Sequence, residues 1–565
     1  MCGLAGVVGK TNDAVLSKML LEQKHRGPDN TSVWIDSGIQ LGHNRLSIID
    51  LSEESNQPFG NERYILVFNG EIYNYLEIKT ELKDFSFKTN SDTEVLLAAY
   101  EKWGRECLNK LNGMFAFAIW DKETNTLFAA RDRFGVKPFF YTISNNVFYF
   151  SSEIKALFKA GIKKEPNDKV WANYFAYGTY GFPNETFWKG IHQLPGSHYL
   201  TYSKEQLKIN KWYYFEEEVK KHLTTKLTYN EAKDIYFYLL KDSIKLRFRA
   251  DVPVGFNVSG GVDSSTLLAL VNEQKAAKDI KAFTFYTNDK RYDELPWVEE
   301  MINITQNPLE KVLLTSKEVY ELSKKISFHQ DEPFGGIPTL AYAKIFERAR
   351  SKGVLVLLDG QGMDEQWAGY DYYSSSENKN VIQGVTSSPF KENVLSNEIK
   401  QILNKPIYPQ YFEDDLLNKQ YRDLFYTKIP RALRFNDRVS MASSTELREP
   451  FLDYRLVEFA FSQPKEYKIK DRVQKKMIRD IVSEYLSKSI SYAPKRPLQT
   501  PQREWLGEDL KAEVINVINI IEKSNYNNWF NIKEMKKELE LYIKGEKDSS
   551  FHIWQWLNFT LLINE

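Results

Sequence analysis

One stretch constrains this 565-residue chain more than any other. Val252 to Val258 is an apolar run broken by Pro253 and Gly255, and Ser259-Gly260-Gly261-Val262-Asp263-Ser264 follows it at once. Helical spacing then holds from Ser265 to Ala276. A strand that passes through glycines into a helix opens a strand–loop–helix unit, and the unit repeats. Ala282 to Tyr286 reads as a strand, and a helix starts at Pro296. Val312-Leu313-Leu314 is a strand, and Thr315 with Glu318 makes a capping box for the next helix. Thr339 to Lys352 is helical, and Val354 to Leu358 is continuously apolar. Strands apolar on both faces, alternating with helices, predict a doubly wound parallel sheet. Ser259 and Asp359 each follow a strand, so two loops share the carboxyl edge, where such sheets bind ligands. From about Gln401 onward the chain reads as mainly helical.

The N-terminal region differs. Ile65 to Phe68 is a short strand, and Met114 to Trp120 with Thr126 to Arg131 reads as a hairpin. Phe139 to Thr142 with Val147 to Phe150 reads as another, and Asp92 to Trp103 as a helix between strands. This predicts sheet layers covered by helices, an α+β domain over residues 2–208. The charged stretch Phe215 to Lys226 offers little to bury, which sets a linker over 209–228 and a second, α/β domain over 229–565. A chain of this length needs more than one core.

Seventy-six basic residues balance 76 acidic ones, so charge makes no case for nucleic acid or an anionic membrane. No apolar run is long enough to span a bilayer, and the N-terminus lacks the pattern of a signal peptide. Cys2 and Cys107 are the only cysteines, which fits a reducing, cytoplasmic setting.

Two motifs carry chemistry. Gly260 and Gly261 let backbone N–H groups approach an anion at a helix start, and Ser259, Ser264 and Ser265 add hydroxyls. The loop lacks the Gly-Lys-Ser/Thr ending of a Walker loop. Asp263 faces phosphate only across a cation, which points to Mg²⁺. Asp359-Gly360-Gln361-Gly362-Met363-Asp364-Glu365 adds carboxylates suited to a metal–pyrophosphate group. At the other end, removal of Met1 would expose Cys2 with a free α-amine. That amine, at about 7.7–8.0, is a base of suitable strength for a thiol at about 8.5.

Taken together, Cys2 and the Ser259–Ser264 loop resemble the glutamine-hydrolysing asparagine synthetase family across nearly the whole length. The resemblance implies an N-terminal-nucleophile hydrolase domain of layered αββα form, followed by an ATP-dependent adenylating domain. ATP would activate a carboxylate as an acyl-adenylate with loss of pyrophosphate, and ammonia from glutamine would attack it. His25-Arg26-Gly27-Pro28-Asp29, Arg45-Leu46-Ser47-Ile48-Ile49-Asp50, Asn69-Gly70-Glu71 and Asp92 match the family pattern. It implies Cys2 as nucleophile and the amine, not His25, as base. Arg45 would take the glutamine carboxylate, Glu71 and Asp92 its ammonium, and Ile48 and Ile49 would border it. Asn69 and Gly70 would form the oxyanion hole. ATP would meet Val258, Ser259, Gly260, Gly261, Asp263, Ser264, Phe285, Asp359 and Gly360. Mg²⁺ would sit on Asp263 and Asp364, with Gln361, Glu446 and Lys475 completing the catalytic set. The partners implied are small molecules, and the assembly implied is a homodimer.

The match departs at Asp359, Gln361 and Met363, where the family has Ser, Glu and Ser. It departs again at Leu447, at Glu449 and over Ala493 to Pro501. Gln361 cannot act as a base. These positions are expected near ATP or the acceptor. Two acceptors stay open: aspartate, and a sugar hexuronate that would become a uronamide in surface-polysaccharide biosynthesis. A catalytically silent scaffold is a third reading, against which the intact Cys2, Asn69, Asp92 and Asp364 weigh. No role is assigned to residues 372–428, where Tyr408, Tyr411 and Phe412 are expected as core.

Overall fold

The computed structural model describes residues 2–12, 14–274, 279–374, 388–494, 499–546 and 549–563. In the N-terminal region a pair of six-stranded sheets stack face to face. One runs His192–Gln193, Phe140–Ser144, Val147–Ser151, Gly3–Val8, Ile39–Arg45, Asn30–Asp36. The other runs Gln206–Lys211, His198–Ser203, Thr126–Arg131, Gly113–Asp121, Tyr64–Ile72, Phe59–Gly60. Leu4, Leu41, Val67, Ala118, Phe148 and Leu200 are among the side chains that fill the space between them. The small residues among them let the sheets approach. Helix Ala14–Glu22 covers the first sheet through Leu16, Met19 and Leu20, and helix Asp92–Trp103 covers the second through Val95, Leu96 and Ala99. This is the expected αββα layering.

The C-terminal region holds a five-stranded, wholly parallel sheet in the order Leu309–Leu313, Ala282–Tyr286, Val254–Asn257, Val356–Leu358, Glu446–Arg448. The strand order reverses at Val254–Asn257, which opens a crevice at its carboxyl end. Ser259 and Asp359 leave adjacent strands there. Helix Val262–Gln274 starts three residues earlier than the spacing predicted, because Gly261 directly precedes its first turn. The Thr315–Glu318 capping box forms, and Pro296 lies in the first turn of helix Leu295–Thr305.

The span expected as a linker carries structure. Strand Gln206–Lys211 runs into it, and Phe215–His222 is a helix. Its three glutamates open the first turn and Lys220, Lys221 and His222 close the last, which complements the helix dipole. Phe215 and Val219, one turn apart, are buried against the helix Tyr454–Ser462. Two apolar residues were thus enough to dock a segment whose charge suggested solvent. Of the three aromatics expected as core, Phe412 is buried, Tyr408 half-buried, and Tyr411 exposed with its ring edge on Tyr421. No helix among the described residues is long and apolar enough to cross a membrane.

Candidate active site

The strand Gly3–Val8 delivers Cys2 to the mouth of the stacked sheets. Cys2 N–H donates to Asn69 Oδ1 at 2.9 Å, and its Sγ lies 3.9 Å from Leu46 O. Burial pushes the thiol up from its ordinary range. Met1 lies outside the described residues. Asn69 is fully buried, and among the described residues its Nδ2 has no hydrogen-bond partner, while its Oδ1 holds Cys2 N–H. A side chain at Gly70 would strike Met114 O at 2.1 Å, which keeps that position bare.

Glu71 and Asp92 are buried beside this centre. Asp92 accepts Ile72 N–H at 2.9 Å, and burial raises its carboxyl to about 6. Burial and the nearby Glu446 raise Glu71 further, while Arg448, 3.5 Å away, opposes that. Arg45 donates to Ser52 O at 2.6 Å, to Asn56 Oδ1 at 3.0 Å and to Asp50 O. Its guanidinium therefore shapes the loop 50–56. Ile48 and Ile49 are buried in a core shared with Phe256 and Val258 of the C-terminal region, so their side chains pack rather than line an opening.

Glu446 comes to this centre and not to the crevice. Its charge acts on the Cys2 thiol, and Arg448 bonds it from the same strand. Arg448 also donates to Arg247 O and Arg249 O, both at 2.8 Å. A strand of the C-terminal region thus closes the thiol site.

The crevice is a cavity of about 710 Å³. At one end Ser264 Oγ accepts Ser259 N–H at 3.2 Å and donates to Gly261 O at 3.3 Å, which folds the loop into a cradle. Gly260 sits at φ +69°, and Gly360 packs so closely that an added Cβ would lie 3.1 Å from Asp263 Cβ. The two glycine loops therefore touch. Asp359 is buried, takes Asn257 Nδ2 at 3.2 Å, and is raised to about 6 by burial. Lys475, buried at φ +55°, bonds Asp263 at 2.6 and 2.7 Å and also pairs with Asp364. Its helix-edge position gave no hint of this burial. Gln361 lines the cavity. Val258 and Phe285 border a separate small recess with Ser259, Tyr292 and Glu294.

The other end was not foreseen. Tyr174 and Tyr180 reach it from the N-terminal region, Lys428 and Arg431 from helix Lys428–Met441, and Phe551 and Trp554 from the last helix. Lys428 lies over Tyr370 at 4.9 Å and Arg431 over Tyr180 at 5.7 Å. Among the described residues neither cation has a carboxylate in ion-pair reach. Burial and Arg431 bring Lys428 down to about 8. The signal was a pair of cations three residues apart on one helix. Leu447 is buried in the core and Glu449 is away from the cavity wall, so neither departure touches the crevice directly. Of the 493–501 departure, residues 495–498 lie outside the described residues; Ala493, Pro494, Gln499 and Thr500 line the cavity.

Residues 1–214 match the glutamine amidotransferase domain family, and residues 237–564 match asparagine synthase. The glutamine-hydrolysing asparagine synthetase 3 of Bacillus subtilis (strain 168) is 32% identical, over 88% of this chain and 86% of its own length. A putative glutamine-hydrolysing asparagine synthetase 2 of Methanocaldococcus jannaschii is 36% identical, over 66% and 76%. A solved glutamine phosphoribosylpyrophosphate amidotransferase from B. subtilis superposes at a TM-score of 0.30, with 16% identity over 55% of this chain and 65% of its own.

Proposed function

The chain belongs to the glutamine-hydrolysing asparagine synthetase family, and from that premise we propose that it is a carbon–nitrogen ligase that moves the amide nitrogen of glutamine onto a carboxylate activated by ATP. The observation that carries this reading is the unpartnered Asn69 Nδ2 beside Cys2, in the same chain as the glycine-loop crevice.

Cys2 Sγ would attack the glutamine carboxamide with its own α-amine as base. Asn69 Nδ2 and Gly70 N–H would hold the oxyanion. Arg45 would orient the substrate carboxylate, and Asp92 with Glu71 its ammonium. In the crevice the Ser259–Ser264 loop would hold the ATP phosphates while the acceptor carboxylate attacks the α-phosphorus and pyrophosphate departs. Asp263 and Asp364 fit Mg²⁺ of the kind held by one or two carboxylates and substrate phosphates. Their present partner, the Lys475 ammonium, marks a place already suited to positive charge. Mg²⁺ there would neutralise the departing pyrophosphate, and Lys475 would turn to its oxygens.

Aspartate is the acceptor that the relatives' names suggest. A second reading, a hexuronate, draws support from the far end of the cavity. The ammonium of aspartate needs a carboxylate. Of those lining the cavity, Asp263 and Asp364 bind Lys475, Glu365 accepts Tyr370 Oη at 2.7 Å, Asp359 accepts Asn257, and Glu294 is likewise engaged. Lys428, Arg431 and the aromatic wall suit an acceptor with further negative charge and a ring, such as a nucleotide-linked uronate. Purified protein with glutamine, ATP and Mg²⁺ should release AMP and pyrophosphate only when the acceptor is present. Aspartate, glucuronate and UDP-glucuronate, compared for AMP release, separate the two readings. Orthophosphate in place of pyrophosphate would refute both.

A further inference from the structure

The N-terminal region supplies part of the crevice wall. Helix Asp168–Tyr177 ends at Gly178, where an added Cβ would lie 1.9 Å from the Phe390 ring, and two residues on Tyr180 lines the cavity. Tyr180 meets Tyr174 edge-on at 5.2 Å and Phe435 at 5.3 Å. Tyr174 is itself buried, and Gln555 of the last helix donates to its carbonyl. The Tyr180 ring is therefore held by packing from both regions of the chain.

Two guanidinium groups lie over that ring, Arg434 at 5.0 Å and Arg431 at 5.7 Å. They differ in what else holds them. Arg434 bonds Glu332 at 3.0 Å and Pro333 O at 3.1 Å. The Arg431 side chain makes no hydrogen bond or ion pair among the described residues. Lys428, one turn earlier on the same helix, rests over Tyr370 at 4.9 Å and Tyr372 at 5.6 Å, and it too has no carboxylate in reach there. An aromatic face holds a cation without neutralising it. Lys428 and Arg431 thus stand in the cavity wall with their charge unspent. Two positive charges one turn apart match a group with nearly two negative ones, and a phosphoryl ester carries about −1.5 to −2 at pH 7. The α-carboxylate of aspartate carries one, and it brings an ammonium that both cations repel.

We propose that Lys428 and Arg431 bind a phosphoryl group of the acceptor, and that Tyr180 is the positioning residue that holds Arg431 for it. The acceptor is then a phosphorylated sugar acid and not a free one. This deepens the hexuronate reading above and rests on it. The acid's carboxylate faces the glycine loops, its phosphoryl group takes the far end, and Phe551 and Trp554 offer the sugar an apolar wall. The N-terminal region, through Tyr180, is part of the acceptor site.

The test is calorimetric titration of the full chain, with Mg²⁺ and a non-hydrolysable ATP analogue filling the glycine loops so that no other phosphoryl group enters there. Glucuronate, glucuronate 1-phosphate and UDP-glucuronate are compared. At least one phosphorylated acid should bind about tenfold more tightly than glucuronate, the low end for charge-assisted hydrogen bonds, and the two phosphorylated arms show whether a monoester or a diphosphate is read. Arg431→Ala and Lys428→Met should each remove most of that margin, while Arg431→Lys, which keeps the charge, should retain part of it. Tyr180→Leu should shrink the margin, and Tyr180→Phe, which keeps the ring, should preserve it. Equal affinity for the three acids, no binding by any of them, or a margin that survives Arg431→Ala overturns the proposal. Equal margins in Tyr180→Leu and Tyr180→Phe refute the role given to Tyr180. AMP release with aspartate, and no margin among the acids, would sink the subsite and leave the ligase reading standing. A margin that depends on Arg431, in protein that releases no AMP from any acceptor, would instead defeat the ligase reading and leave the subsite.

Discussion

An amide nitrogen buried without a partner is costly, and Asn69 carries one beside Cys2. In the proposed reaction, an oxyanion formed there would supply the missing partner. On the proposed reading the two centres do separate chemistry, so Cys2→Ala should abolish amide formation from glutamine and spare formation from added ammonium. Assays of AMP release with each nitrogen source check this, and loss of both in a folded variant would contradict it. Asp92 supplies a pH signature. Its carboxyl sits near 6 because burial outweighs the Ile72 N–H that stabilises its charge. In its proposed role only the ionised form would attract the glutamine ammonium. The KM for glutamine should therefore rise about tenfold for each pH unit below 6, while ammonium-driven synthesis shows no such rise. In Asp92→Asn the KM should be high throughout and flat across that range.

Elements hold these residues in place through their ends. Asp453 caps helix Tyr454–Ser462 by accepting Arg455 N–H at 3.1 Å, and it also takes Asn112 at 2.9 Å and Arg247 at 3.0 Å. It is fully buried, and Arg247 with Arg455 overcomes burial to hold its carboxyl well below the usual range. Asp453→Asn leaves Arg247 uncompensated and should cost about 3–5 kcal/mol in urea unfolding. Because the folded carboxyl is depressed, this contribution is complete above about pH 4 and fades only as acid lowers the pH further. At the same scale, helix Asp92–Trp103 and the Thr315–Glu318 box were legible because local rules suffice for caps and apolar spacing. The helix Phe215–His222 was not, since its order comes from docking against Tyr454–Ser462, a partner more than 200 residues away. Lys428 and Arg431 were missed for a similar reason. Helical spacing shows two cations on one face, but only the fold brings Tyr180 and Tyr370 beneath them.

At the scale of the whole molecule the N-terminal and C-terminal regions share their interior. One core cluster joins Ile48, Tyr73 and Phe134 to Val258 and Phe451, and another joins Trp171 and Phe187 to Ile337 and Trp554. Sequence motifs singled out Cys2 and the glycine loops but were silent on this union, because no local pattern encodes which surfaces meet. Arg26 is its polar centre. Fully buried, it donates to Cys2 O at 3.0 Å, to Glu153 at 3.0 Å, and to both oxygens of Asp437 at 2.9 and 3.1 Å. Asp437 follows Asn436, which lines the crevice. One guanidinium thus ties the Cys2 carbonyl to the wall of the distant cavity, meeting Asp437 in the bidentate geometry that arginine favours. Asp437→Asn removes the charge from the middle of that tie and leaves Glu153 as the one carboxylate on Arg26 among the described residues. Unfolding in urea should show a loss of about 3–5 kcal/mol. In the folded variant, amide formed per glutamate should fall, while amide formation from added ammonium holds. If the ratio stays at its original value although stability drops, the tie serves only the fold, and the two centres keep their alignment through the shared apolar core.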